Sequence, residues 1–368
     1  MGTPCKKLEF FEVRTCKTAF EMGFLIGKRF SGLIKCRVSA DLILQEQLHP
    51  FARTSHAKTL LDELCNNNRQ RFPNYWDEIV GTAEGSGVSL LDLVLLNFRK
   101  EILPFVPKVE RTDLQEEASN DCSDVLLVNE SLAVAAHNED GNGALIGHGY
   151  MIRALLPNGL AFTAYTYAGE IPSCAFGFND NGIGFTLNSV PPSADEILAG
   201  GIGRNFVSRD LLESINLEDA VNRILSANVS VGHNYNLIDV KGRRILNVET
   251  SSGNRYACRE IGQTPLFHAN MYIHLQVNQE HSESSLRRQR RAAQLFPVGS
   301  KSEVLKILGD SEDEEHPIYM KGPILYTLCT ALFDLDDQTL CIFEGNPKRE
   351  EAVCVLHIPT KGQKTSMM

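Results

Sequence analysis

The pattern of apolar residues changes at Cys122, and this change limits the folds that the chain can adopt. Residues 8 to about 100 carry three or four segments with helical spacing, whereas strand-like alternation and short turns follow Cys122. Helical patterns return at residues 204–226 and 284–296, and strand patterns return after each. This order predicts an α+β protein in which two antiparallel sheets stack between helical layers.

Cys122 begins a predicted β-hairpin that ends in the polar cluster His137-Asn138-Glu139-Asp140. Because a hairpin brings the chain back to its starting point, Asp140 is expected near Cys122. Its carboxylate would then hold an ammonium group, either that of the chain or that of a substrate. The alternative is a turn cluster, since Asp140 and the glycines that follow it have typical turn chemistry.

The segment before Cys122 has the composition of an exposed connector. Residues 104–121 are charged and marked by prolines. If the chain were cut between Asp121 and Cys122, the new α-amine, with a pKa near 8, would lie beside the thiol and act as its base. The alternative is a buried structural cysteine at the start of a strand, since the chain has ten cysteines.

Other polar residues are weaker candidates. Asn270 is a possible donor to an oxyanion, and the alternative is a capping or turn asparagine. His137, His268 and His274 lack the spacing of a metal site, so no metal is expected.

Composition excludes several classes of function. The net charge of −10 argues against nucleic-acid binding, and the short basic run at residues 287–291 is interpreted as a solvated helix face. No apolar run reaches the roughly 18 residues of a membrane helix, so no membrane partner is expected. The N-terminus lacks a secretory pattern, so a cytoplasmic protein is expected, with a peroxisomal one left open.

Seven short motifs in order resemble the acyl-coenzyme A:isopenicillin N acyltransferase family. They lie at residues 71–85, 121–122, 137–140, 167–169, 177–184, 247–251 and 268–270. Residues 327–334 and 345–347 look closest to the branch that contains an insect N-β-alanyldopamine hydrolase.

This resemblance implies an N-terminal-nucleophile (Ntn) hydrolase with a four-layer αββα sandwich. Residues 1–121 would form a helical N-terminal segment, the α fragment, and residues 122–368 the Ntn core, the β fragment. By motif, Cys122 would be the nucleophile of self-cleavage and catalysis, with Asp140 and Asn270 as further catalytic residues.

Three residues are implied as possible support for the site. They are Asn138, Ser251 and His268. The chain departs from the family in having Asp121, where a glycine is usual, before the cysteine. The family's arginine clamp for a carboxylate is also missing from its expected place, so penicillin-type chemistry is not expected.

The sequence therefore predicts a self-processing cysteine amidohydrolase or acyltransferase that acts on a small N-acyl amine through a Cys122 acyl-enzyme. No cofactor is expected, although acyl-CoA is a possible co-substrate. The two fragments would form a heterodimer, and further dimerisation is left open. The alternatives are a CoA-dependent N-acyltransferase and an unprocessed binding or scaffold protein.

Overall fold

The computed structural model describes residues 8–107, 122–172, 174–280 and 282–359. Its strands are β1 (Glu9–Val13), β2 (Ser123–Val128), β3 (Ala133–Asn142), β4 (Gly149–Leu155), β5 (Ala161–Tyr167), β6 (Phe176–Asn179), β7 (Ile183–Ser189), β8 (His233–Asp239), β9 (Arg244–Ser251), β10 (Arg255–Glu260), β11 (Leu266–His268), β12 (Leu325–Asp334), β13 (Thr339–Phe343) and β14 (Cys354–His357).

The α-helices lie on both sides of the Cys122 hairpin in the chain. They are α1 (Ala19–Arg29), α2 (Ser31–Ala40), α3 (His49–Ala52), α4 (Ser55–Arg71), α5 (Pro73–Ser86), α6 (Leu90–Asn97), α7 (Arg99–Ile102), α8 (Arg204–Leu211), α9 (Leu217–Leu225), α10 (Glu283–Leu295) and α11 (Lys301–Leu308). Within the residues described, no helix combines the length and the hydrophobicity that a membrane crossing requires.

The strands form two sheets that stack face to face between helices. One sheet has eight strands in the order β1-β4-β5-β6-β7-β8-β9-β10, and the other has six in the order β11-β2-β3-β12-β13-β14. Three apolar cores separate the layers: helices α1–α9 against the large sheet, the large sheet against the small one, and the small sheet against α10 and α11. The predicted four-layer αββα sandwich is confirmed.

Strand β1 departs from the predicted helical pattern of the N-terminal segment. It pairs in parallel with β4, with Glu9 opposite Tyr150. Five residues are too few to reveal a strand by alternation, and the partner lies about 140 residues away in the sequence, so no local signal marks the pairing. The prediction also missed strand β10 and helix α11.

The segment before Cys122 is packed into the same folded body as the segment after it. Besides the β1–β4 pairing, two buried ion pairs join them. Arg37 lies 2.6 Å from Glu170, and Arg209 lies 2.6 Å from Glu78. Because all four side chains are nearly inaccessible to water, each charge depends on its partner across the two segments.

Helices α1 and α5 approach each other closely through glycines. A Cβ atom at Gly23 would lie 2.1 Å from the Glu78 carbonyl oxygen, and one at Gly27 would lie 2.3 Å from the Thr82 carbonyl oxygen. A side chain at either position would therefore overlap the backbone of α5, and glycine at both positions is what allows the two helices to approach so closely.

We expect Gly23→Ala to lower the free energy of unfolding by about 1–3 kcal/mol, because the added methyl group meets backbone rather than a movable side chain. Gly32→Ala is the matched control, since a Cβ atom there meets nothing within 4 Å. Urea unfolding monitored by circular dichroism measures both. Equal stability of the two variants would contradict the prediction.

Candidate active site

The antiparallel pairing of β2 with β3 brings Cys122 opposite Glu139. Ser123 pairs with Asn138, so one step along each strand sets Cys122 against Glu139. Both side chains are only 5% exposed, and alternation along the strands points them into the space between the two sheets. The predicted hairpin, with its polar end beside Cys122, is confirmed.

The Cys122 thiol lies among carboxylates. Its Sγ is 3.6 Å from Oε2 of Glu139, within the range of a sulfur hydrogen bond. Burial first, and then the charges of Glu139 and Asp140, raise the pKa of the Cys122 thiol well above its ordinary value. In the uncleaved chain the thiol therefore keeps its proton at neutral pH.

Next to the thiol, His137 bridges two carboxylates. Its Nδ1 lies 3.0 Å from Oδ1 of Asp124, and its Nε2 lies 3.0 Å from Oε2 of Glu139. Tyr167 donates its hydroxyl to the other Glu139 oxygen, and Thr186 donates to Asp124 at 2.7 Å. Burial opposes charge on the imidazole, but the two carboxylates outweigh it and raise the pKa of His137 to about 10. His137 is thus an imidazolium that donates to both neighbours.

The same cluster contains the atom types of a metal site. Ligand atoms of Cys122, His137 and Glu139 lie within 4.8 Å of one another. A divalent cation there would have to displace both the thiol proton and an imidazolium proton, so the geometry favours the hydrogen-bonded network. Of the three histidines considered from the sequence, His268 pairs instead with Glu249 at 3.1 Å.

Asn270 holds the backbone of Cys122 rather than its thiol. The Cys122 N–H donates to Oδ1 of Asn270 at 2.8 Å, while Nδ2 of Asn270 donates to the Ser189 carbonyl at 2.9 Å. The sequence brings Asn270 to the right place, but in this arrangement it faces Cys122 as an acceptor. Its role as an oxyanion donor stays a prediction that this orientation does not display.

Arg288 is a buried cation that contacts Cys122, Ser123 and Asn270. Its Nη1 donates to the Cys122 carbonyl at 2.7 Å and to Oγ of Ser123 at 2.9 Å, and its Nη2 donates to Asn270 at 2.9 Å. The interpretation of residues 287–291 as a solvated helix face is therefore wrong for Arg288, which is 0% exposed. Helix α10 turns this one arginine of the run toward the small sheet.

The remaining residues singled out from the sequence lie at different distances from this network. Asp140 accepts from the Thr327 hydroxyl of β12 at 2.5 Å, and Asn138 donates to the Leu308 carbonyl of α11 at 2.9 Å. By alternation along β3, both side chains point to the face opposite that of Glu139. Ser251 accepts from Arg255 at 3.2 Å, and this contact lies outside the Cys122 network. Asp121 lies outside the described residues.

The alternation of residues along the two strands is a sequence signal for Asp124 and Glu139. In a hairpin, alternate residues share a face, so the hairpin that aligns Cys122 with Glu139 also aligns Asp124 with His137. The motif at residues 167–169 and the basic run at 287–291 gave no indication that Tyr167 and Arg288 contact the site, because these residues reach it from the facing sheet and from a distant helix.

The raised pKa of His137 makes a prediction about stability. The charge of His137 stabilises the fold fully below about pH 6.5, its unfolded pKa, and this stabilisation is lost as the pH rises toward about 10. We therefore expect the gap in Tm between wild type and His137→Gln to shrink across that range. His56→Gln, at an exposed histidine outside the site, is the control. A gap that is constant or grows with pH would refute the assignment.

Three comparisons relate the chain to known proteins. The family model described as acyl-coenzyme A:6-aminopenicillanic acid acyl-transferase matches residues 128–349. The beta-alanyl-dopamine/carcinine hydrolase of Drosophila melanogaster is 24% identical over 367 residues, which cover 92% of this chain and 94% of that protein. A solved structure of the Caenorhabditis elegans N-acylethanolamine-hydrolyzing acid amidase ortholog matches with a TM-score of 0.41 and 10% identity, covering 65% of this chain and all of the other.

The family match spans more than half of the chain and includes the second strand of the Cys122 hairpin. It agrees with the resemblance that the order of motifs indicated, and the four layers of the fold agree with the architecture which that resemblance implied. The chain belongs to the acyl-coenzyme A:6-aminopenicillanic acid acyl-transferase family and is an enzyme of the N-terminal-nucleophile hydrolase type.

Proposed function

We propose that the chain cuts itself between Asp121 and Cys122, and that the freed Cys122 then hydrolyses the amide bond of a small N-acyl amine. The observation that carries this proposal is the setting of Cys122. Its nitrogen is held by Asn270, its carbonyl by Arg288, and its thiol faces Glu139. Each polar atom of Cys122 thus has its own buried partner.

Cleavage would change the chemistry of the thiol. The peptide nitrogen of Cys122 would become an α-amine, which takes the proton of the neighbouring thiol and, as an ammonium, favours the thiolate. The backbone N–H of Asp140 also hydrogen-bonds to the sulfur and lowers the pKa of the thiol. Oδ1 of Asn270 would keep the new amine in place.

The thiolate would then attack the carbonyl carbon of the substrate amide. The amine leaves with a proton from the Cys122 ammonium, and water hydrolyses the resulting thioester. We assign the oxyanion to backbone N–H groups and to Asn270, which would have to turn its Nδ2 from Ser189 toward the substrate.

The acyl group of the substrate is proposed to carry its own ammonium group, as a β-alanyl group does. The relative from Drosophila melanogaster is named for hydrolysis of beta-alanyl-dopamine and carcinine. In this chain, the carboxylates of Glu139 and Asp140 are both close enough to raise the pKa of the Cys122 thiol. The same negative field would attract an ammonium group bound a few atoms from the scissile carbonyl.

A second candidate function is CoA-dependent acyl transfer, and the name of the family favours it. In that case the same Cys122 thioester would form from acyl-CoA and pass to an amine. The two functions differ in whether CoA is released, so thiol release from acyl-CoA, with and without a panel of amines, distinguishes them. A non-catalytic scaffold is no longer a candidate, because the chain is an enzyme of this family.

The two fragments, residues 1–121 and 122–368, are proposed to stay together after cleavage as a heterodimer. Strand β1 would remain paired with β4, and the Arg37–Glu170 and Glu78–Arg209 ion pairs would continue to join the fragments. These contacts are interior contacts of one fold rather than a surface between separate domains.

Replacing Cys122 with alanine tests the nucleophile. We expect intact-mass spectrometry of wild type to give the masses of two fragments, one ending at Asp121 and one beginning at Cys122. We expect Cys122→Ala to give the mass of the whole chain and no amidase activity. Cys174→Ala is the matched control, because Cys174 is also buried between the sheets. A Cys122→Ala chain that still splits would refute the mechanism.

A substrate series tests the acyl group. N-β-alanyl and N-propionyl amides of the same aromatic amine differ mainly in the ammonium group. We expect kcat/KM to favour the β-alanyl amide by about 10²-fold or more, since its ammonium group is attracted by the negative field of the site and a propionyl group is not. Equal rates would exclude recognition of the ammonium group while leaving Cys122 as the nucleophile.

A further inference from the structure

Self-cleavage, on which this inference rests, needs a base that the mature enzyme does not need. Before the Asp121–Cys122 bond is cut, the nitrogen of Cys122 is part of a peptide bond and cannot take a proton from the thiol. Burial and carboxylates meanwhile keep the thiol in its protonated form. Some other group must accept the proton of Cys122 in the uncleaved chain.

We propose that Glu139 is this group: it is the catalytic base of self-cleavage, and His137 and Tyr167 position it. Oε2 of Glu139 lies 3.6 Å from Sγ of Cys122 in a part of the fold that water barely reaches. Pairing of β2 with β3 sets the two residues directly across from each other, so their approach is built into the sheet.

The Glu139 carboxylate is fixed at both oxygens. His137 donates to Oε2 at 3.0 Å, and Tyr167 donates to Oε1 from the facing sheet. His137 is itself held by Asp124 at 3.0 Å, and Thr186 donates to Asp124. This chain of contacts, made by residues of strands, holds Oε2 of Glu139 against the sulfur of Cys122.

The other ionisable neighbours fit the role less well. His137 carries a proton on each ring nitrogen because it lies between two carboxylates, so it acts as a donor. Asp140 follows Glu139 in the same strand, so its side chain points to the opposite face, where it accepts from Thr327 at 2.5 Å. Asp124 faces the same space, but its Oδ1 accepts from His137 and Thr186. Glu139 is the carboxylate whose oxygen lies within hydrogen-bond distance of the sulfur.

The step balances with water as the only other reactant. The S–H bond of Cys122 breaks as its proton passes to Glu139, and the sulfur attacks the carbonyl carbon of Asp121. The bond between the Asp121 carbonyl carbon and the Cys122 nitrogen then breaks. Glu139 returns the proton to this nitrogen, which becomes the free α-amine. Water hydrolyses the thioester to the Asp121 carboxylate and the free thiol.

The test follows cleavage of the full-length chain, made by cell-free synthesis, by intact-mass spectrometry over time. We expect Glu139→Gln to fold and to cleave at least about 10²-fold more slowly than wild type, the usual contribution of a general base. Glu139→Asp, which keeps a carboxylate, should be intermediate. Glu101→Gln, at a buried glutamate of the helical layer, should cleave as wild type does.

Chemical rescue distinguishes a base from a structural support. In Glu139→Ala, added formate should enter the vacated space and restore cleavage in proportion to its concentration, whereas sodium chloride at equal ionic strength should not. A Glu139→Gln chain that is folded and cleaves at the wild-type rate would overturn the inference, as would a lack of rescue by formate.

If the Glu139 variants do not fold, Tyr167→Phe provides the measurement, because it keeps Glu139 and removes one hydrogen bond to it. Tyr167 would then no longer fix Oε1 of Glu139, so Oε2 would be held less firmly against the sulfur, and we expect cleavage about two- to tenfold slower than in wild type. An equal or faster rate would count against Glu139 as a base that Tyr167 positions. A wild-type chain that never cleaves would instead defeat the proposed function itself.

Discussion

The pairing of β2 with β3 is the interaction on which the site depends. It sets Cys122 across from Glu139 and Asp124 across from His137, all facing the space between the two sheets. A slip of one residue would turn every side chain of one strand to the opposite face and separate the thiol from its carboxylate. The apolar residues of the same strands fix the register, since Val125 and Leu127 belong to one core and Leu126 to the other.

The site places several charged side chains in the interior, where the loss of hydration makes charge most unfavourable. The charges of three carboxylates, those of Glu139, Asp140 and Asp124, raise the pKa of a thiol that is itself buried. His137 and Arg288 supply the opposite charges, and each makes several hydrogen bonds that compensate in part for lost hydration. A fold selected for stability alone would fill such a space with apolar side chains, so the arrangement is typical of a functional site.

Sequence patterns predicted those features of the fold that depend on residues close together in the chain. The hairpin at Cys122 and the layered order of helices and strands both depend on neighbours in sequence, and both were found. The buried position of Arg288 was not predictable in this way. Its partner Cys122 lies 166 residues away, and the charges on both sides of Arg288 indicate an exposed helix face.

For Asn270, the sequence predicted the location of the residue but not the orientation of its amide. Which end of the amide faces Cys122 depends on the Ser189 carbonyl and on Arg288. Those two contacts come from a strand of the other sheet and from helix α10. The chemistry of an asparagine is therefore decided by tertiary packing that no motif encodes.

The contacts between the N-terminal segment and the rest of the fold have a thermodynamic consequence for a chain that has been cut. A single chain unfolds in a unimolecular reaction, whereas two fragments that share a sheet and two buried ion pairs separate into two molecules when they unfold. Their melting temperature would then rise with protein concentration. Refolding of a cut chain would require the two fragments to meet, so its rate would fall as the protein is diluted, whereas the refolding rate of an intact chain would not.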